Sequence, residues 1–169
     1  MSVLTQLSYF PSYATSPRSL ICAVTTNGLL VKDFITCWHS TLPAPTGWRI
    51  AFLLLDGLAI LGVSTWGRPT ARLEDQEYTL EHTRMALSYG APRNSGSWFL
   101  ARNREWIRKN MPEIGRVIAY INLDHHTGIV YRADNWQTVY REYSTSSWTN
   151  RPGRLGTEAN YRAKFERAP

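Results

Sequence analysis

Hydrophobic and polar positions change period several times along this chain, and each change marks an element. Leu20 to Thr26 is a short, largely apolar run that predicts a strand, turned by Asn27-Gly28. Leu29 to Trp38 then places Leu30, Phe34, Ile35 and Trp38 on one helical face, which predicts a short amphipathic helix. Leu42-Pro43-Ala44-Pro45 follows as an extended, semi-rigid loop. Trp48 to Leu55 and Leu58 to Trp66 are apolar without alternation. They predict central strands covered on both faces, joined as a hairpin by Asp56-Gly57. A third strand is predicted from Tyr78 to Leu87, antiparallel because its connection is short.

Ser97 to Asn110 carries Phe99, Leu100, Trp106 and Ile107 at helical spacing, so it reads as a second amphipathic helix ending near Pro112. Arg102, Arg104, Arg108 and Lys109 are predicted to lie mostly on its outer face. Arg116 to Asn122 is the next strand, reached across a helix and so parallel to the strand before it. Thr127 to Ala133 predicts a short helix, and Trp136 to Tyr143 a last strand. Three regions result: an irregular arm over residues 1–18, a folded domain over 19–145 and a tail over 146–169. The tail is rich in Arg and Lys, contains Pro152, Gly153 and Gly156, and reads as flexible, either solvated or an anion-binding arm. No internal repeat is visible.

Composition narrows the class. Apolar residues at 43% and aromatic residues at 12% exclude general disorder, and seven Trp with nine Tyr exceed what a small core needs. The net charge of +6 favours anionic partners such as nucleic acid or a phosphorylated cofactor. Cys22 and Cys37 make neither a disulfide framework nor a metal spacing, and both read as small buried apolar residues. No secretory pattern opens the chain, and the longest apolar stretch, Ile50 to Val63, is interrupted and too short to span a bilayer. A soluble, intracellular protein with no membrane association is expected.

Two places carry candidate chemistry. Arg93-Asn94-Ser95-Gly96-Ser97 puts small residues and a basic side chain where a helix begins. Free amides there, with the positive end of the helix dipole, suit a pyrophosphate, and ordinary capping by Asn94 or Ser97 is the competing reading. Asp124, His125 and His126 follow the parallel strand, where ligands bind on such sheets. An acid beside imidazoles can act as a general base or hold a divalent metal, and His39 completes the set if the fold brings it close.

The order of elements resembles the GNAT acyltransferase fold, in which two adjacent strands splay apart around an acyl-CoA. That fold's usual pyrophosphate-loop signature is absent here, so the Asn/Ser/Gly turn would have to take its place. A more specific resemblance lies in motifs spread in order over about Phe34 to Trp136. Trp38-His39-Ser40 with Pro43 resembles the His-Tyr-Ser-x-x-x-Pro segment of phage Mom-type adenine modification proteins. Glu81-His82-Thr83-Arg84 is similar to their Glu-Leu-Thr-Arg, and Asn94-Ser95-Gly96-Ser97-Trp98-Phe99-Leu100 to their Asn-x-x-Ser-x-Phe-Leu. Residues from Ala119 to Asp124 and from His126 to Trp136 resemble Ser-Tyr-Ala-Asp followed by Gly-His-x-Gly-x-x-Tyr-x-Ala-x-Asn-Trp. Ser40 stands where the family often has Tyr, and His125 where it often has Gly.

The resemblance implies an α/β (α+β) fold: a mixed, mostly antiparallel central sheet flanked by helices, with splayed parallel strands forming the cofactor cleft. It implies an enzyme that converts adenine N6 in double-stranded DNA to a carbamoylmethyl derivative, protecting phage DNA from restriction in the bacterial host cytoplasm. It implies acetyl-CoA as cofactor, and iron or another divalent metal. His39, Asp124, Tyr131 and Ser97 would be catalytic, and Arg84, Ser40 and Trp136 would bind substrate. Arg93 to Ser97 would hold the cofactor, and His39, Asp124 and His126 the metal. A GNAT N-acetyltransferase acting on a small amine or protein is the alternative.

Overall fold

The computed structural model describes residues 13–144 and 160–169. A seven-stranded sheet runs in the order β1-β2-β3-β4-β5-β7-β6. Its strands are β1 (Ile21–Thr25), β2 (Ile50–Asp56), β3 (Ala59–Gly67), β4 (Thr79–Leu87), β5 (Arg116–Asn122), β6 (Gln137–Ser144) and β7 (Asn160–Arg167). Every neighbouring pair is antiparallel except β4 and β5. The expected sheet class is therefore present, and each predicted strand and helix lies within a few residues of its expected place.

Helices cover the two faces because their apolar stripes demand it. On one face α1 (Gly28–Trp38) buries Val31, Phe34 and Ile35 against Ala51, Val63 and Ala86. On the other, α2 (Ser95–Asn110) buries Phe99, Leu100 and Ile107 in the larger core with Phe52, Leu54, Leu80 and Val117. A short α3 (Ile129–Ala133) packs beside α2 and adds Tyr131 to that core. The β2–β3 hairpin turns at Gly57, whose φ of +57° is the left-handed value such a turn requires. Among the described residues no helix is long and apolar enough to cross a membrane.

Three expectations change. Arg104 does not face outward: it is buried and makes a bidentate pair with Asp134, through Nε at 2.7 Å and a terminal nitrogen at 2.6 Å. It ties α2 to the end of α3, a desolvated pairing that guanidinium geometry suits. Cys37 is exposed, whereas Cys22 is half-buried and its thiol is pushed up to about 12, chiefly by burial. Asn160–Arg167 is not a flexible tail but β7, inserted between β5 and β6. Its Ala163 and Phe165 alternate inward to the core while Lys164 pairs with Glu74 on the opposite face. That period of two was masked by the charges between the apolar positions. Residues 1–12 of the expected arm and 145–159 of the expected tail lie outside the described residues.

Candidate active site

The site is created where two parallel strands part. β4 and β5 pair only through Thr79, Leu80 and Glu81 against Arg116, Val117 and Ile118. Beyond Glu81, β4 stays with β3 to Leu87, whereas β5 stays with β7 to Asn122, so a gap opens between them. A bulge marks the same point: Trp66 faces His82 and Thr65 faces Arg84, leaving Thr83 as the extra residue. Bulges bend a strand and re-aim side chains. Here His82 contacts Tyr131 of α3, while Arg84 bonds to the loop that follows α1.

On the α2 side of the gap lies an open helix start. Asn94 occupies the N-cap with φ of 68° and its side chain makes no capping bond, and no acidic residue stands in the first turn. Ser95 is buried, and its Oγ has no hydrogen-bond partner. Ser97 Oγ instead donates to the Asn94 carbonyl at 3.2 Å. Gly96 lets α3 approach, since a Cβ there would stand 2.8 Å from Val130 Cγ1. Arg93 and Asn94 are exposed beside this turn. The competing capping role for Asn94 is not realised; the Ser95 amide donates to the Pro92 carbonyl at 3.1 Å, which leaves the Gly96 and Ser97 amides and the dipole of a 16-residue helix to an anion.

On the α1 side lie His39, Arg84 and His126. His39 caps α1 through its backbone amide to the Ile35 carbonyl at 2.8 Å. Its Nδ1 accepts from Thr41 N and Leu42 N at 3.3 and 3.1 Å. Burial, then the Arg84 and His126 charges, lower its pKa to about 4. Arg84 donates from Nε to the Pro43 carbonyl at 3.1 Å and from a terminal nitrogen to the Thr83 carbonyl at 2.6 Å. The His126 ring centre lies 6.2 Å from that of His39. Burial, then the His125 charge, lowers its pKa as well. Ser40 is exposed on the turn next to His39.

Tyr131 and Trp136 are elsewhere. Tyr131 is buried, stacked on Phe165 at 5.2 Å, with its hydroxyl 2.8 Å from His82 Nδ1. Trp136 is only 4% exposed, and its indole N–H donates to Asp134 at 2.7 Å. A side chain so enclosed and engaged has no open face for substrate, so the expected substrate contact by Trp136 is replaced by a structural one. Asp124 is exposed, and its carboxylate accepts from the Tyr161 amide at 3.3 Å, pinning the start of β7.

The expected metal set does not close. His39 and His126 approach, but Asp124 serves β7, and among the described residues no three His, Cys, Asp or Glu side chains group around a common point. A divalent ion such as iron needs more converging donors than two imidazoles supply.

Sequence reasoning passed over two buried polar groups at the parting of the strands. His82 is 3% exposed, its Nε2 has no partner, and its pKa is lowered to about 3, mostly by burial. Glu81 is buried, accepts from Thr70 N and Oγ1 at 2.6 and 2.9 Å, and is held above the usual carboxylate range, first by burial. The signal was present: both are polar positions in a strand whose neighbours read as core. A separate groove lined by Gly115, Arg116, Gln137, Glu166 and Arg167 lies at the far end of β5 and contains none of the residues singled out above.

The family described as the Mom protein family matches residues 26–166. No curated protein sequence matches the chain. Among solved structures, an N-acetyltransferase from Staphylococcus aureus superposes with TM-score 0.60 at 16% identity, covering 88% of this chain and 98% of that one. A Bacillus subtilis acetyltransferase solved in complex with CoA gives TM-score 0.60 at 10% identity, covering 89% and 99%. A ribosomal-protein alanine N-acetyltransferase from Escherichia coli gives 0.61 at 10% identity, covering 88% and 94%. These likenesses show a shared fold, that of GNAT acetyltransferases.

Proposed function

The chain belongs to the Mom protein family, and from that premise we propose that it is an acyltransferase-like enzyme that modifies adenine N6 in double-stranded DNA. The product would be the carbamoylmethyl derivative, made in the cytoplasm of a bacterial host, where it would protect phage DNA from restriction. One observation carries the reading: β4 and β5 part at a bulge, with an uncapped helix start on one side and a cluster of nitrogen donors on the other. A cleft of that form accommodates a phosphorylated acyl donor from one face and an acceptor from the other.

Acetyl-CoA is the proposed donor, in keeping with the CoA complex of the B. subtilis acetyltransferase. Gly96 and Ser97 amides, with Arg93 beside them, would hold its pyrophosphate. When bound it would supply the two carbons of the group; joining the methyl carbon to N6 is a two-electron oxidation and the amide needs a nitrogen in place of the CoA thiol, so an oxidant and an ammonia-level nitrogen donor must act as co-reactants. Ser97 Oγ, already turned onto the Asn94 carbonyl, steadies the turn that presents those amides. Tyr131 is kept neutral, because burial raises its phenol well above the ordinary range, so its hydroxyl can donate a hydrogen bond but not serve as an anion. The target base is inaccessible inside duplex DNA, so it must be unstacked to reach the cleft. The net charge of +6 favours binding to the phosphate backbone. Because the donor set does not fit a metal, no step is assigned to one.

Mass spectrometry of nucleosides from DNA of cells expressing the protein tests the reading, beside Arg84→Ala and Ser97→Ala versions. A carbamoylmethyl adenine with the intact protein and its loss in the Arg84 variant are expected. An unchanged nucleoside profile, with acetyl transfer to amines or proteins instead, would replace it by a GNAT N-acetyltransferase.

A further inference from the structure

Two backbone amides decide which nitrogen of His39 carries its proton. Thr41 N–H and Leu42 N–H both donate to Nδ1. A ring nitrogen that accepts hydrogen bonds uses its lone pair, so in the neutral ring the proton sits on Nε2. Flipping the ring would put carbon where the amides point and leave two donors unpaired. Nε2 is therefore a donor. A metal ligand or general base would need a lone pair at that atom, and a liganding histidine would donate from its other nitrogen rather than accept there.

Arg84 contributes a group of the same kind. Its hydrogen bonds among the described residues go to the backbone carbonyls of Pro43 and Thr83, so its positive charge is oriented without being paired to a carboxylate. Pro43 lies four residues after His39, so one short turn positions both groups. Besides each other, the titratable groups bearing on them are Glu81 on the Arg84 strand, Tyr131 on α3 and His126 on the loop after β5.

We propose that His39 and Arg84 form a donor-only site for a phosphate oxygen of the DNA substrate, with His39 a neutral hydrogen-bond donor through Nε2–H rather than a metal ligand or a base. Such a site would read an anion through two donors, one charged and one neutral. It also accounts for the open metal set, since His39 has nothing to offer a cation. The ligand assignment rests on the DNA-modification reading; the tautomer does not.

Long-range proton–nitrogen NMR of the full chain with labelled histidines tests the tautomer. From pH 5.5 to 8 the His39 signals are expected to show Nδ1 bare and Nε2 protonated, unmoved by added zinc. An Nδ1–H tautomer, or a zinc-dependent shift at His39, would overturn the proposal. Binding of a short DNA duplex tests the ligand: His39→Leu is expected to lose about tenfold in affinity, as one hydrogen bond suggests, while His39→Gln, which keeps an N–H, stays near the intact protein. Equal losses in both variants, or none in either, would overturn it. CoA binding should not change in His39→Leu; if it falls instead, the phosphate belongs to the acyl donor and the DNA assignment is wrong. An intact protein that binds no duplex removes the DNA reading together with this ligand, while the tautomer result stands separately.

Discussion

His82 is the residue on which the chemistry of folding and the chemistry of the site meet. Its ring lies 4.7 Å from that of Trp66, and Tyr131 bonds its Nδ1. With Tyr131 neutral, an O–H donated to Nδ1 leaves a single orphan, the Nε2–H, whereas the reverse arrangement leaves two. A ring buried in this way favours the neutral form, and its pKa falls to about 3. His39 falls to about 4 by the same cause, with Arg84 second. The unfolded chain binds more protons than the native one once pH drops below the ordinary imidazole value of about 6.5, so stability must fall with pH there. Between about pH 6.5 and 5 most carboxylates remain ionised, which isolates the histidine contribution. Urea unfolding is expected to weaken steadily across that window, and His82→Leu should reduce the slope by up to one proton. A slope unchanged in His82→Leu would mean that this ring is not held neutral by burial.

At the scale of elements, α3 is five residues long and cannot stand alone. It is held by three devices. Gly128 starts it with φ of 72°, and a Cβ there would lie 2.8 Å from Ile121 Cδ1 and from Phe165 Cζ. Tyr131 stacks on Phe165, and Asp134 at its end receives Arg104 and Trp136. Gly128→Ala combines left-handed strain with overpacking against β5 and β7, and should cost about 2–4 kcal/mol in chemical unfolding. Because α3 also presents Tyr131 to His82, the same variant should lose the proposed modification activity in soluble protein. Full stability in Gly128→Ala would contradict the close contact with Phe165.

For the molecule as a whole, β7 is the strand that completes the sheet. It pairs with β5 over Val117 to Asn122 and with β6 on its other side, and it carries Phe165 into the core. It also supplies Lys164 to Glu74, which in turn holds Arg116 at 2.6 Å. Ending the chain at residue 159 removes all of this and leaves two unpaired strand edges with an opened core. Such a protein is expected to aggregate or unfold, as judged by soluble yield and circular dichroism. A soluble, fully folded truncation would restore the reading of residues 160–169 as part of a flexible tail.

Much of the fold was legible because it is local. The β2–β3 hairpin follows from two apolar runs around Asp56-Gly57, and α1 and α2 follow from apolar spacing with matching helical period. β5 appears at its expected bounds, parallel to β4, because an intervening helix forces a crossover. Ordered motifs singled out Arg84 near the end of a strand and Ser97 at a helix start, where the structure has them, whereas the approach of His39 to the loop after β5 depended on the fold. Long-range partners were not legible. Trp136 reads as a free aromatic until Asp134 and the core enclose it, and Arg104 reads as a surface charge until Asp134 is folded against it. Asp124 reads as a ligand from its place after the strand, but nothing in the sequence tells that one of its carboxylate oxygens accepts from the Tyr161 amide 37 residues later.

The sequence by itself determined where the strands and helices form, because periodicity, turn residues and helix starts act over a few neighbours along the chain. Tertiary structure alone decided that the last strand enters between β5 and β6, that β4 and β5 part after Glu81, and which atoms of His39, His82 and Asp124 remain available. Those outcomes depend on pairing and desolvation between segments far apart in the chain, and a side chain's chemistry is set by the partners that folding brings to it.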